Sequence, residues 1–205
     1  MPGLFVTFEG GDGVGKSTQA ALLAARLEAA GRTVVRTREP GGTDLGVQLR
    51  QLLQHQPGHI DPRAEALLYA ADRAHHIATV VRPALAAGSM VLQDRYLDSS
   101  IAYQGAGRVL EPQAIRDLSL WATDGLLPDL TILLDLDPEL GAVRRAGGEY
   151  DRMEAESLDF HRRVRDGYLA LAAAEPGRFL VLDATQAPEA LAEQIAERVL
   201  GLLGE

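Results

Sequence analysis

Eight residues near the start of the chain, Gly10-Gly11-Asp12-Gly13-Val14-Gly15-Lys16-Ser17, satisfy the phosphate-loop pattern G-x-x-x-x-G-K-[ST] in full. The pattern has physical meaning only between a buried strand and a helix. Both flanks are present: Leu4 to Glu9 is an apolar run, and an Ala- and Leu-rich stretch starts near Lys16 and stops at Gly31. Glycines let the backbone turn inward so that successive N–H groups converge on one phosphate, and the helix N-terminus adds its partial positive charge. Lys16 is the only lysine, beside 19 arginines. A compact ammonium reaches between phosphate oxygens better than a planar guanidinium does. The loop Gly10 to Ser17, with Thr18 behind it, is therefore expected to hold the phosphates of a nucleoside triphosphate. Lys16 would sit on the β- and γ-phosphates and Ser17 on Mg²⁺. The loop does not say whether that nucleotide is used by a kinase or by a hydrolysing switch or motor.

Four further apolar runs follow: Thr33 to Arg38, Met90 to Gln93, Leu130 to Leu136, and Phe179 to Asp183. Continuous apolar strands separated by helix-length segments predict a five-stranded parallel sheet with helices on both faces, an α/β P-loop NTPase fold. Asp61-Pro62 signals a helix running to about Val81, Asp137-Pro138 signals another, and Pro188 to Leu203 has apolar residues at helical spacing. No linker or repeat divides residues 1–205, so a single domain is expected.

The formal net charge of −9 argues against a general nucleic-acid binder. With no cysteine there is neither a disulfide nor a cysteine metal site. Neither a signal peptide nor a membrane-length apolar run is evident, and the expectation is a cytoplasmic protein. Asparagine is absent too, which removes the Asn-Lys-x-Asp element of a GTP-dependent switch.

The strand at Met90 runs into Asp94-Arg95-Tyr96. An acid at the end of a buried strand is where a P-loop protein holds Mg²⁺, and a neighbouring arginine can receive a second anion. The alternative is a structural ion pair at a strand end, but with the phosphate loop present the functional reading is favoured. Tyr69 and Arg73 lie four apart and share a helix face; by periodicity alone Tyr69 reads as a core aromatic. His75 and His76 read as exposed or capping groups, since no second cluster of metal-type ligands is near them.

Phe8-Glu9-Gly10, Thr37-Arg38-Glu39-Pro40-Gly41-Gly42-Thr43, Tyr69-Ala70-Ala71-Asp72-Arg73, Asp94-Arg95-Tyr96 and Ser99-Ser100-Ile101-Ala102-Tyr103-Gln104-Gly105 occur in that order. Together with Pro128-Asp129-Leu130-Thr131 and Asp183-Ala184-Thr185-Gln186, the set resembles the thymidylate kinase family over essentially the whole chain. The resemblance implies transfer of the γ-phosphoryl of ATP to dTMP with Mg²⁺ held at Ser17 and Asp94, no nucleic-acid or membrane partner, and a homodimer. It implies Arg95 on the acceptor phosphate, with Arg38 and Arg50 nearby, and Tyr69 stacked on thymine. Arg73, Gln104 and Ser100 would read the base edge. Tyr103 would crowd the sugar's 2′ carbon, Asp12 would meet the 3′ hydroxyl, and Glu39 would lie near metal and sugar. Gly13 replaces the loop arginine of one family type, which implies catalytic arginines on a mobile lid, about residues 141–153, carrying Arg144, Arg145 and Arg152 around Gly147-Gly148. The alternative substrate is another nucleoside monophosphate: uridylate, cytidylate or adenylate.

Overall fold

The computed structural model describes residues 3–144 and 150–204. Arg145, Gly147 and Gly148 lie outside the described residues. All five apolar runs form strands: β1 Leu4–Glu9, β2 Val34–Arg38, β3 Met90–Asp94, β4 Leu130–Asp135 and β5 Phe179–Asp183. Every pairing is parallel, in the order β2-β3-β1-β4-β5. The helices are α1 Lys16–Ala29, α2 Asp44–His55, α3 Pro62–His76, α4 Arg82–Ala86, α5 Leu97–Ser100, α6 Pro112–Ala122, α7 Pro138–Arg144, α8 Leu158–Ala174 and α9 Pro188–Leu203. The helix expected from Asp61-Pro62 does reach Val81, but its last turn, Ile77–Val81, is π-helical; a second π-helical stretch, Ile101–Gly107, continues α5. Among the described residues no helix is long and apolar enough to cross a membrane.

Strand periodicity divides the core. Leu4, Val6 and Phe8 point to a layer with Leu23 and Leu27 of α1 and Ile195 and Val199 of α9. Phe5 points the other way, toward Ile77, Val91, Leu97 and Ile115. A third cluster joins Leu133 to Phe160, Val164 and Tyr168 of α8 and to Tyr103. Since successive side chains alternate faces, Thr7 and Glu9 share the second side with Phe5. Glu9 is thereby an acid carried into the interior by a strand.

The strand order places the site. From β1 the chain crosses to β2 and returns to β3, and only later reaches β4 on the opposite side of β1. At this reversal the loops leaving β1 and β3 diverge, and a crevice opens at their carboxyl ends. The register aligns Phe8 with Asp94 and Asp94 with Arg38. Arg95 N–H donates to the Phe8 carbonyl and Glu39 N–H to that of Asp94. Three strand ends thus deliver Gly10, Arg95 and Glu39 side by side.

Candidate active site

The crevice is a cavity of about 490 Å³ lined by Asp12, Gly13, Gly15 to Thr18, Arg38, Glu39, Arg50, Tyr69, Arg73, Asp94, Arg95, Ser99, Ser100, Tyr103 and Gln104 among others. The phosphate loop forms one wall. Gly10 has φ 126°, and a Cβ there would stand 2.4 Å from the Leu134 carbonyl oxygen, so the turn is open to glycine alone. Gly15, at φ 99°, precedes the first turn of α1. Lys16 is buried and its ammonium donates to the carbonyl oxygens of Gly10 (3.2 Å) and Gly11 (2.6 Å). Burial, helped by the charge of Arg95, lowers its pKa. Ser17 Oγ donates to Asp94 Oδ2 at 3.0 Å, so the two expected metal positions are already paired. A hydroxyl and one carboxylate are hard oxygen donors of the kind Mg²⁺ takes when phosphates and water supply the rest. Among the described residues no group of three or more acids, histidines or cysteines could cage an ion.

Arg95 is the hub of the adjoining wall. Its backbone sits at φ 66°, a left-handed conformation costly for a residue with a side chain and characteristic of functional sites. The guanidinium is held on several sides. Nη1 donates to the Gly10 carbonyl (3.1 Å), Ser99 Oγ (3.2 Å) and the Tyr168 hydroxyl (3.3 Å); Nη2 donates to Asp12 and to the Tyr103 hydroxyl (3.2 Å). It also lies 4.9 Å from the centre of the Tyr103 ring. Tyr103 in turn donates to Asp12 Oδ2 at 3.1 Å. Beneath them, Glu9 accepts from Tyr96 N–H (2.7 Å), Ser99 Oγ (2.6 Å) and Tyr168 (3.0 Å). Burial, with the charge of Asp98 adding to it, pushes the Glu9 carboxyl up to about 7.

A second arginine anchors the far end. Arg73, 2% exposed, donates through Nε to Glu39 (2.9 Å), through Nη1 to Ser119 Oγ (3.0 Å) and through Nη2 to the Tyr96 carbonyl (3.1 Å) and Ser100 Oγ (3.0 Å). Four of its five N–H donors are spent on the protein. Glu39 completes the arrangement by facing His76 Nδ1 at 2.9 Å, and His76 Nε2 meets Thr37 Oγ1 at 2.6 Å. The expectation that His76 is exposed or capping is corrected: it is fully buried, wedged between the ends of α3 and β2. Nearby, Gln104 Nε2 donates to Glu65, which also receives Arg108 and Arg152.

The expected site residues on β1, β3, α3 and the π-helical stretch converge. Tyr69 lines the cavity half-buried, and Arg50 reaches the Pro40 carbonyl (3.0 Å) at its rim. Of the arginines expected on the lid, Arg144 and Arg152 point elsewhere, and Arg145 lies outside the described residues. Arg144 donates to the Ala184 carbonyl (3.0 Å), and Arg152 donates to the Leu53 carbonyl (2.8 Å) and pairs with the Glu65 carboxylate (2.6 Å). Instead, Asp151 and Met153 line the cavity from that segment, with Glu154 directly after it. Glu9, Glu65, His76 and Tyr168 went unrecognised as site-building residues. Only Glu9 carried a signal, as a charge at the end of an otherwise apolar strand.

Comparison with known proteins agrees with this geometry. The family model "Thymidylate kinase" matches residues 8–195. A thymidylate kinase of Leifsonia xyli subsp. xyli is 66% identical over 202 residues, 98% of this chain and 96% of the relative. One from Clavibacter michiganensis subsp. michiganensis is 62% identical over 205 residues, covering 99% and 97%. One from Gloeobacter violaceus is 55% identical over 205 residues, covering 98% and 97%. With a phosphate loop facing an arginine-lined second pocket, and with likeness of this extent along the chain, the protein belongs to the thymidylate kinase family, which phosphorylates dTMP to dTDP with ATP.

Proposed function

We propose a division of labour within the cavity for the transfer of the γ-phosphoryl of ATP to dTMP. ATP lies with its phosphates along the loop Gly10 to Thr18, and dTMP enters from the side of Tyr69 and Gln104. A monophosphate with a second pKa near 6 is largely dianionic at neutral pH, so its oxygen attacks without a strong general base. What the enzyme must supply is alignment and neutralisation. Lys16 leaves the Gly10 and Gly11 carbonyls for the β- and γ-phosphates. Ser17 and Asp94 are the groups to hold Mg²⁺, which when bound neutralises phosphate charge. Arg95 receives the acceptor phosphate; Arg38 and Arg50 add charge behind it. Tyr69 stacks on the base, Arg73, Ser100 and Gln104 meet its edge, and Tyr103 and Asp12 border the sugar, with Glu39 behind Arg73. The lid role belongs to the segment 141–153. Any closure that brings Arg144 or Arg152 to the phosphates exchanges its contact with Ala184 or Glu65.

The observation that supports this most is the seat of Arg95, strained in backbone and fixed between the Gly10 carbonyl and Asp12 at the junction of the two pockets. Arg95→Ala is expected to cut kcat/KM for dTMP about 10²- to 10³-fold, the scale of one lost transition-state donor, with ATP affinity changed less than about threefold. Equal loss of both would put Arg95 in the donor site. A monophosphate panel tests the acceptor, and preference for UMP, CMP or AMP would overturn dTMP. We also propose a homodimer through α2 and α3, which expose Val47 (53%) and Leu67 (58%) on packed neighbouring helices.

A further inference from the structure

Glu65 lies outside the cavity lining, yet it is fully buried and hydrogen-bonded to Gln104 inside it. Its Oε1 accepts from Gln104 Nε2 (2.9 Å) and Arg108 Nε (3.2 Å) and its Oε2 from Arg108 Nη2 (3.1 Å), while the Arg152 guanidinium forms an ion pair with Oε2 (2.6 Å). Burial works against its charge, but the hydrogen bonds from Arg108 and Gln104 outweigh it and hold the carboxyl below its usual pKa. An ionised carboxylate only accepts. The Gln104 amide must therefore turn its amine to Glu65, because the opposite flip would set two acceptors against each other. The amide oxygen is the atom left for the cavity, which Gln104 lines.

We propose that Glu65 is the positioning residue that sets base choice, by locking the Gln104 carbonyl toward the acceptor's base as an acceptor for an imide N–H. The proposal rests on the reading of this cavity end as the base site. Thymine offers N3–H as a donor at that edge, whereas cytosine offers a lone pair at N3. A fixed acceptor pairs with the first and repels the second. Buried polar groups left unpaired or opposed are what make such sites discriminating.

Glu65→Gln reverses the arrangement. The new amide keeps its oxygen on Arg108 Nη2 and Arg152 and turns its amine toward Gln104, giving up the bond from Arg108 Nε. Gln104 then rotates and presents its own amine to the base. The test measures kcat/KM for dTMP and dCMP, with KM for ATP, in the full-length enzyme. The expected result is a fall of about tenfold or more in the dTMP-to-dCMP ratio, with KM for ATP changed less than about twofold. A folded Glu65→Gln variant with an unaltered ratio overturns the proposal. If that variant does not fold, Glu65→Asp keeps the charge for both arginines while withdrawing from Gln104; the same fall supports the proposal and an unchanged ratio overturns it. Gln104→Ala separates the two levels of the argument. If Gln104→Ala leaves the ratio intact, the base-site reading fails and the proposal with it. If Gln104→Ala lowers the ratio and the Glu65 variants do not, Glu65 alone is misassigned. In the double variant, substitution at Glu65 should lower the ratio no further, whereas a merely structural role would add its own effect.

Discussion

Two arginines at the cavity are each set on a buried acid, and Glu9 shows what such an acid costs. It sits beneath Arg95 with three donors around it, but burial and Asp98 raise its pKa from 4.5 to about 7. A carboxyl raised in the folded state binds more protons there than in the unfolded chain. Its contribution to stability is full below about pH 4.5 and is lost as pH rises through about 7. The loss is on the order of 3 kcal/mol. Glu9→Gln should therefore show a flatter fall in unfolding free energy between pH 5 and pH 8 than the parent, measured by urea denaturation at each pH. Parallel curves for the two proteins would mean that Glu9 titrates as in water. Single residues were unevenly legible. Lys16, Arg95 and Asp94 stand in short motifs whose chemistry is local. Tyr168 and His76 were not readable, because one aromatic or imidazole on a helix looks the same whether it packs or holds a catalytic arginine. Their partners, Glu9 and Glu39, lie 159 and 37 residues away.

Elements carry the site through close packing, most plainly where α8 meets the π-helical stretch Ile101–Gly107. A Cβ at Gly107 would stand 2.7 Å from the Phe160 ring, and one at Gly167 2.9 Å from Ala106. The absence of side chains there lets α8 approach closely enough for Tyr168, next to Gly167, to reach Arg95. Gly107→Ala is expected to cost about 1–3 kcal/mol by overpacking, lowering Tm by roughly 2–10 °C. It should also raise KM for dTMP more than KM for ATP, since α8 would be displaced from Arg95. A melting temperature equal to the parent's would show that Phe160 yields freely. Strand positions were readable because doubly buried strands are continuous apolar runs. The helix boundaries at Pro62 and Pro138 followed from caps and first-turn prolines, and that of Pro188–Leu203 from apolar spacing; Asp61 does accept from Arg63 and Ala64 N–H. Helices α2, α6 and α8 carry starts of the same kind, a Thr43 cap, a first-turn Pro112 and a Ser157 cap, that went unread among neighbouring polar residues, and the π-helical windings left no mark in the residue pattern. Such windings are set by what the turn packs against, and they recur at functional sites.

At the scale of the molecule, net charge and site charge oppose each other. The chain carries −9 overall, while Lys16, Arg38, Arg50, Arg73 and Arg95 are gathered at one crevice. Attraction for two polyanions is thus confined to the strand ends, and the remaining surface repels further copies unless an apolar face compensates. The packed pair α2 and α3 offers exposed apolar groups, Leu45 and Leu52 on one side of α2, Val47 on the other, and Leu67 on α3, and α2 also supplies Arg50 to the cavity rim. Self-association through these helices would immobilise the rim that faces the acceptor. Leu67→Glu, which places a charge at the centre of α3's exposed surface, should convert a dimer to a monomer by light scattering. Because Leu67 points away from the cavity lining, ATP affinity should stay within about twofold of the parent. KM for dTMP should rise as Arg50 and the Pro40 turn lose their support. A parent protein that is monomeric at micromolar concentration would remove the face from the account. A Leu67→Glu variant that stays dimeric would move the interface to another surface, with the lone Trp121 (82% exposed) on α6 the next group to substitute.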